Sequence, residues 1–213
     1  MLSVKVNNLD EAARFAVSQL IEFSKNKEVL TLCLTGGNFG ESFTKRLDFI
    51  KDSRIKFNFL LSDERFVKSK DKNSNAKLIE KCLAPFLKTL NSDIIFFNTD
   101  GDYISCFENL KSRLHSKNIF RPDFSVLSLG KDGHLAGHFH NSILDATEIF
   151  CYTNEAPKPI SHRVSFSIKW LSGSKKIILA AIGEEKKYEL EKLKNGTGLH
   201  SDLMNHPNLI ILS

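Results

Sequence analysis

The stretch Val29-Leu30-Thr31-Leu32-Cys33-Leu34-Thr35-Gly36-Gly37-Asn38-Phe39-Gly40 passes from an apolar segment straight into a glycine-rich turn. A strand wetted on one face alternates apolar and polar residues, whereas a strand covered on both faces has no reason to do so. Val29 to Leu34 therefore reads as a strand buried on both faces, and the turn feeds a helical stretch from Glu41. The same grammar recurs outward from this segment. Leu9, Ala12, Ala13, Ala16, Val17, Leu20 and Ile21 repeat at helical spacing, which predicts an amphipathic helix over residues 9–24 with Asn8 or Asp10 near its start. Strands are expected at 55–61, 94–97, 124–129, 176–182 and 208–212, and helices at 74–87, 103–115 and 184–194, the last ended by Asn195-Gly196. Val164, Phe166 and Ile168 alternate with Ser165 and Ser167, the pattern of a half-exposed strand. Strands alternating with helices imply an α/β fold whose mostly parallel sheet is covered on both faces.

Composition narrows the function classes. At 213 residues with 41% apolar content, the chain has material for a single α/β domain over residues 1–213. The formal net charge is +5, but the 30 Lys and Arg are interspersed with 25 Asp and Glu. No basic stripe forms, so no nucleic-acid partner is expected. The sequence holds no apolar run of membrane-spanning length, and MLSVKVNNLDEAARF has no apolar core of a leader. The expectation is a cytoplasmic protein with no membrane partner. Cys33, Cys82, Cys106 and Cys151 share no Cys-x-x-Cys spacing, which fits reduced structural thiols rather than disulfides or a zinc site.

The chemistry-bearing residues fall in loops that follow the predicted strands. The 124–129 strand runs into Gly130-Lys131-Asp132-Gly133-His134, so an acid and an imidazole lie two residues apart at the carboxyl end of a strand, where open α/β sheets put their ligands. A Gly-Asx turn carrying a solvated histidine is the other reading of the same residues. Thr35-Gly36-Gly37-Asn38 stands where a strand meets a helix, so its amides can hold an anion or form a plain glycine turn. It lacks both the Gly-Lys-Ser/Thr ending of a Walker motif and the GxGxxG spacing of a dinucleotide site. Asp63-Glu64-Arg65 follows the next strand, and Lys186 opens a helix after Gly183-Glu184-Glu185. There is no GxSxG, which disfavours a serine-esterase mechanism.

Taken together, TGGNFGESFTKRL, LLSDERFVKSKDKNSNAKLIEKCL, PDFSVLSLGKDGHLAGHF, HRVSFSIKWL and GEEKKYELEKL resemble the 6-phosphogluconolactonase family, within the wider glucosamine-6-phosphate isomerase group. The resemblance spans nearly the whole chain. It implies hydrolysis of 6-phosphogluconolactone to 6-phosphogluconate in the oxidative pentose phosphate pathway. It also implies a three-layer α/β/α fold with a Rossmann-like sheet, no cofactor, a sugar-phosphate lactone as the small-molecule partner, and a monomer or homodimer. By position, His134 resembles the general base and Asp132 its neighbour. Gly36, Gly37, Arg163 and Lys186 resemble the phosphate-binding groups, and Arg65 and Asn75 the substrate contacts. The family's glycine loop usually continues Ser-Thr-Pro where Asn38-Phe39-Gly40 stands here, so the amide of Asn38 would replace a lost hydroxyl donor. The loop after His134 departs too, reading Leu135-Ala136-Gly137-His138-Phe139-His140. A deaminase-type isomerase on the same fold and a non-catalytic sugar-phosphate-binding relative are the alternatives. The deaminase's usual Asn-Glu-Pro element after Asp-Gly-His is missing.

A δ-lactone is an activated ester, so its hydrolysis needs a water aimed at the carbonyl carbon, a group to take the water's proton, and a donor near the developing oxyanion. Imidazole, with a reference pKa near 6.5, is mostly neutral at pH 7 and suits the second role. Asp132 or Asp63 would orient it, and Arg65 would stabilise charge. His134, His138 and His140 form an HxxxHxH pattern with no carboxylate or Cys to complete a metal motif, and no metal is expected. Prolonged dialysis against EDTA should accordingly leave lactone turnover intact. Activity that vanishes on chelation and returns with one divalent metal would instead give these histidines a coordination role.

Overall fold

The computed structural model describes residues 1–87, 92–139, 145–157 and 159–213. The strands expected along the chain, β2 (Val29–Leu34), β3 (Lys56–Leu61), β6 (Phe124–Ser128), β10 (Lys176–Ala180) and β11 (Leu209–Leu212), form the middle of a sheet. Two short strands, β1 (Leu2–Val4) and β5 (Ser92–Ile94), close its edges in the seven-stranded order β1-β11-β10-β6-β2-β3-β5. Every pairing in this sheet is parallel. Period-two geometry sends alternate residues of each strand into different cores. Leu30, Leu32 and Leu34 pack with α1 (Leu9–Ser24), α2 (Gly37–Thr44) and α3 (Asn75–Leu87). Cys33, with Leu127 and Leu179, packs toward α4 (Tyr103–Ser116), α5 (Ile168–Leu171) and α6 (Glu184–Lys194). The result is the expected three-layer α/β/α arrangement. Among the described residues, no helix is long and apolar enough to cross a membrane.

The order of the strands places the loops. From β2 the chain moves through β3 and β5 to one side, then returns to β6 on the other side of β2 and continues through β10 to β11. β2 and β6 are neighbours in register, Leu32 beside Phe124 and Cys33 beside Ser125. The connections leaving their carboxyl ends therefore diverge and leave a crevice between them.

Some elements differ from the reading of the sequence. The helix after β2 begins at Gly37 rather than Glu41, because glycine and asparagine, poor in a helix interior, are tolerated in a first turn whose amides have no partner inside the helix. The predicted 94–97 strand is shifted to Ser92–Ile94, although the Ile95 amide still donates to Phe59 O at 2.8 Å. The half-exposed strand expected around 164–168 is instead β9 (Arg163–Phe166), buried along its whole length, and Ser167 caps α5 by accepting from the Trp170 amide. β9 belongs to a second, antiparallel sheet with β4 (Asp63–Arg65), β8 (Phe150–Thr153) and β7 (Asp145–Ala146), in the order β4-β9-β8-β7. Serine survives burial there because Ser165 Oγ donates to Ser62 O at 3.0 Å and accepts from the Gly137 amide at 3.1 Å. Its polarity serves the protein, not water.

Leu32 is fully buried on the helix-packed face of the central strand. Leu32→Ala should lower the free energy of unfolding by about 2.7–5 kcal/mol, read from urea denaturation. A loss under about 1 kcal/mol would mean this face is not close-packed.

Candidate active site

The crevice at the ends of β2 and β6 is a cleft of about 550 Å³. It is lined by the glycine loop, Asp63, Arg65, Asn75, Ser128, Gly130, His134 and Lys186. Residues from α2, β4, α3, β6 and α6, distant in sequence, converge on it. A larger apolar groove of about 700 Å³ lies against α4 and α5, lined by Phe120 and Trp170, and none of the loop residues reach it.

On the β6 side, the Gly130 amide donates to His134 O at 2.9 Å and the Gly133 amide to Gly130 O at 3.1 Å, folding the loop back on the strand end. Gly133 and Ala136 both adopt positive φ, +81° and +52°. For alanine this is the sparsely populated left-handed region, held here between buried Leu135 and the Gly137 amide bonded to Ser165. His134 Nδ1 is hydrogen-bonded to Asp132 Oδ1. A carboxylate only accepts, so in the neutral ring it is Nδ1 that carries the proton and Nε2 the lone pair. The ring also stacks on Phe139, centroids 4.4 Å apart. A Cβ at Gly130 would collide with His134 Nδ1 and lie 2.6 Å from Asp132 Oδ1. The glycine is thus the space in which the pair forms.

On the β2 side, Gly36 is the N-cap of α2 and makes no side-chain cap bond. The first-turn amides at Gly37 and Asn38 are left facing the cleft with the positive end of the helix dipole. Lys186, in the first turn of α6, lines the opposite wall and hydrogen-bonds Ser128 Oγ at 3.3 Å. Burial holds its ammonium below the usual lysine pKa, with Glu185 pulling the other way. A half-desolvated cation beside bare amides is an anion cradle.

The third wall is β4 and the start of α3. Asp63 accepts from Ser62 Oγ at 2.8 Å, and its backbone carbonyl accepts from Asn75 Nδ2 at 3.1 Å. Asn75 Oδ1 is buried with no hydrogen-bond partner and lies where a Cβ on Gly36 would be. Arg65 Nη1 donates to Asn73 O at 2.7 Å, which holds its guanidinium at the cleft wall.

The placements sort the sequence-level candidates. Gly36, Gly37, Asn38, Asp63, Arg65, Asn75, His134 and Lys186 all line one cleft, with Asp132 bonded to His134 from behind. The orienting partner of His134 is Asp132, not Asp63. Arg163 lines an adjoining cavity of about 330 Å³ that shares Asp63, Arg65, His134 and Ala136 with the cleft. Its place opposite Arg65 in the β4–β9 pairing sets it on that side. It is buried, its guanidinium pKa is lowered by desolvation, and its Nε has no partner. His138 turns inward, its Nε2 3.0 Å from Phe166 O and 3.1 Å from Cys151 Sγ, so it does not face the cleft with His134. His140 lies outside the described residues.

Two residues were passed over in the sequence. Phe139, read only as part of a divergent loop, is the ring under His134. Glu64, given no role of its own in the charge triplet after β3, is 1% exposed. It accepts from the amides of Arg65 and Asn75 on Oε1, each at 2.7 Å, and from the Ala76 amide and Ser74 Oγ on Oε2, at 2.6 and 3.1 Å. Burial pushes its carboxyl up to about 6, against the hydrogen bonds that favour the ionised form. The available signal was a charge triplet directly after a fully buried strand.

Fold and cleft define an α/β protein with an acid–imidazole pair and an anion cradle at the switch point of a parallel sheet. A family model described as glucosamine-6-phosphate isomerases/6-phosphogluconolactonase matches residues 5–207. The 6-phosphogluconolactonase of Borreliella burgdorferi is 32% identical over 170 residues, covering 73% of this chain and 71% of the relative. A probable 6-phosphogluconolactonase of Dictyostelium discoideum is 28% identical over 196 residues, covering 87% and 82%. Among solved structures, the 6-phosphogluconolactonase of Thermotoga maritima superposes with a TM-score of 0.84 at 19% identity, over 99% of this chain and 97% of that one. A monomeric glucosamine-6-phosphate deaminase superposes with a TM-score of 0.80 at 18% identity, over 100% and 96%, so the fold alone does not separate the two activities. The chain belongs to the glucosamine-6-phosphate isomerase/6-phosphogluconolactonase family.

Gly130→Ala should leave the fold intact while displacing the His134–Asp132 pair, whose atoms are the nearest to the added methyl. A fall in kcat of roughly 100-fold, the cost of an ångström-scale misplacement, is expected with an unchanged circular dichroism spectrum. Wild-type kcat in this variant would detach the pair from the chemistry.

Proposed function

We propose that this chain hydrolyses 6-phosphoglucono-1,5-lactone to 6-phosphogluconate, as a step of the oxidative pentose phosphate pathway, with His134 as general base. The observation that carries this reading is one cleft, in a chain of this family, holding both a hydrogen-bonded Asp132–His134 pair and an anion cradle. The phosphate docks on the amides of Gly37 and Asn38 and on Lys186, and that binding energy orients the ring so that C1 faces His134. Nε2 takes a proton from water as its oxygen attacks C1, and Asp132 stabilises the imidazolium that results. The tetrahedral intermediate then collapses with cleavage of the C1–O5 bond. His134 returns the proton to O5, and the new carboxyl group ionises. Arg65 lies at the wall where the carbonyl oxygen gains charge.

The deaminase reading is less well supported, because no acidic residue follows His134 before Asp145. Residues 1–213 are taken as one catalytic domain, since both ends of the chain contribute strands to the same sheet. A cytoplasmic site of action is in keeping with four buried, unpaired cysteines.

Acid release from freshly made 6-phosphogluconolactone, corrected for spontaneous hydrolysis, tests the reading, with unphosphorylated gluconolactone as the comparison. The phosphorylated lactone should be strongly preferred; equal efficiency on both would remove the cradle's role. His134→Asn should lower kcat by about 10²–10⁴ with KM little changed. Lys186→Ala should do the opposite, raising KM by roughly 10- to 150-fold, the loss of one charge-assisted contact. If both variants behave like wild type, base and cradle lie elsewhere.

A further inference from the structure

Glu64 belongs to a charge triplet, yet nothing in the reaction uses it. It touches none of the space in the cleft, and its four hydrogen-bond donors all come from backbone or side chain around the β4–α3 junction. Three of them, Ser74 Oγ and the amides of Asn75 and Ala76, belong to the cap and first turn of α3, where the helix has no carbonyls to offer its amides. The fourth is the amide of Arg65. One carboxylate thus ties the start of α3 to β4, and two of the residues whose amides it holds, Asn75 and Arg65, line the cleft from this wall alongside Asp63. The clasp reaches further, because the Asn75 amide group occupies the space a side chain on Gly36 would fill.

We propose that Glu64 is a positioning residue of the active site: its carboxylate clamps the first turn of α3 onto β4, and so sets Asn75 and Arg65 against the substrate in a single geometry. Glutamine is nearly isosteric but keeps only one acceptor oxygen. Its NH₂ group would face one of the two donor pairs, releasing that half of the clamp. Asn75 then shifts relative to Gly36, and binding suffers before chemistry does, since His134 and Asp132 are held from β6 and the Arg65 guanidinium keeps its own bond to Asn73 O.

The inference rests on the lactonase reading. Wild-type turnover in the same assay separates failure of that reading from failure of this one, and hydrogen exchange needs no turnover at all. Glu64→Gln should exchange the amide proton of Asn75 or Ala76 at least about tenfold faster than wild type, and should raise KM for the lactone about tenfold with kcat within about threefold. Combined with Asn75→Ala, it should cost less than the product of the two single losses, because both act through one contact. Glu64→Asp, which keeps the charge but draws it back by one methylene, should give the same KM effect at smaller size and serves if the glutamine variant does not fold. Unchanged exchange with wild-type KM, a fall in kcat alone, or strictly multiplicative losses would each overturn the proposal.

Discussion

β2 and β6 lie side by side in the sheet, yet the chain leaves their carboxyl ends in opposite directions, one toward β3 and the other back toward β10. Two parallel strands end at the same edge, so their diverging connections cannot close over the gap. Everything functional depends on that gap. The glycine loop forms its rim on one side and the Asp132–His134 turn on the other, some ninety-odd positions apart in sequence but one strand spacing apart in the sheet. The rest of the cleft is assembled around this pair: Lys186 arrives from β10 by α6, and Asp63, Arg65 and Asn75 from β3 by β4 and α3.

Rigid support behind the cleft has two sources. The parallel sheet is covered by apolar cores on both faces, so strand ends are fixed by packing. The small antiparallel sheet works differently, through buried polar groups that are nearly all satisfied: Ser165 binds Ser62 and Gly137, and Glu64 binds the start of α3. Such networks hold loops in place because breaking any member leaves a desolvated group without a partner. Asn75 Oδ1 and Arg163 Nε stand out as buried polar atoms left open beside this network. Asn75 lines the cleft and Arg163 the cavity that adjoins it.

The parallel sheet was legible because the runs at 29–34, 124–129 and 176–182 show no polar alternation, and only a doubly covered strand permits that. The paired acid and imidazole were visible at a strand's carboxyl end but read equally as a solvated Gly-Asx turn, and it was the resemblance to a known family that chose between the readings and named the partners across the chain. What stayed hidden depends on contacts that have no local signature. β9 read as half exposed because its serines look solvated until their backbone partners are known. Glu64 drew no role of its own because the helix it caps begins eleven positions later. Arg163 was grouped with Lys186 through family position alone, and that it would pair with Arg65 across β4 and β9, lining a cavity that adjoins the cleft, had no local signature.

A crystal structure of this chain with 6-phosphogluconate bound tests the central claim most directly, since the product carries a marker at each end. The phosphate is expected on the Gly37 and Asn38 amides and Lys186, with the C1 carboxylate within hydrogen-bond reach of His134 Nε2, about 2.6–3.2 Å. A phosphate seated instead between Arg65 and Arg163 in the adjoining cavity, with C1 turned away from His134, would contradict it.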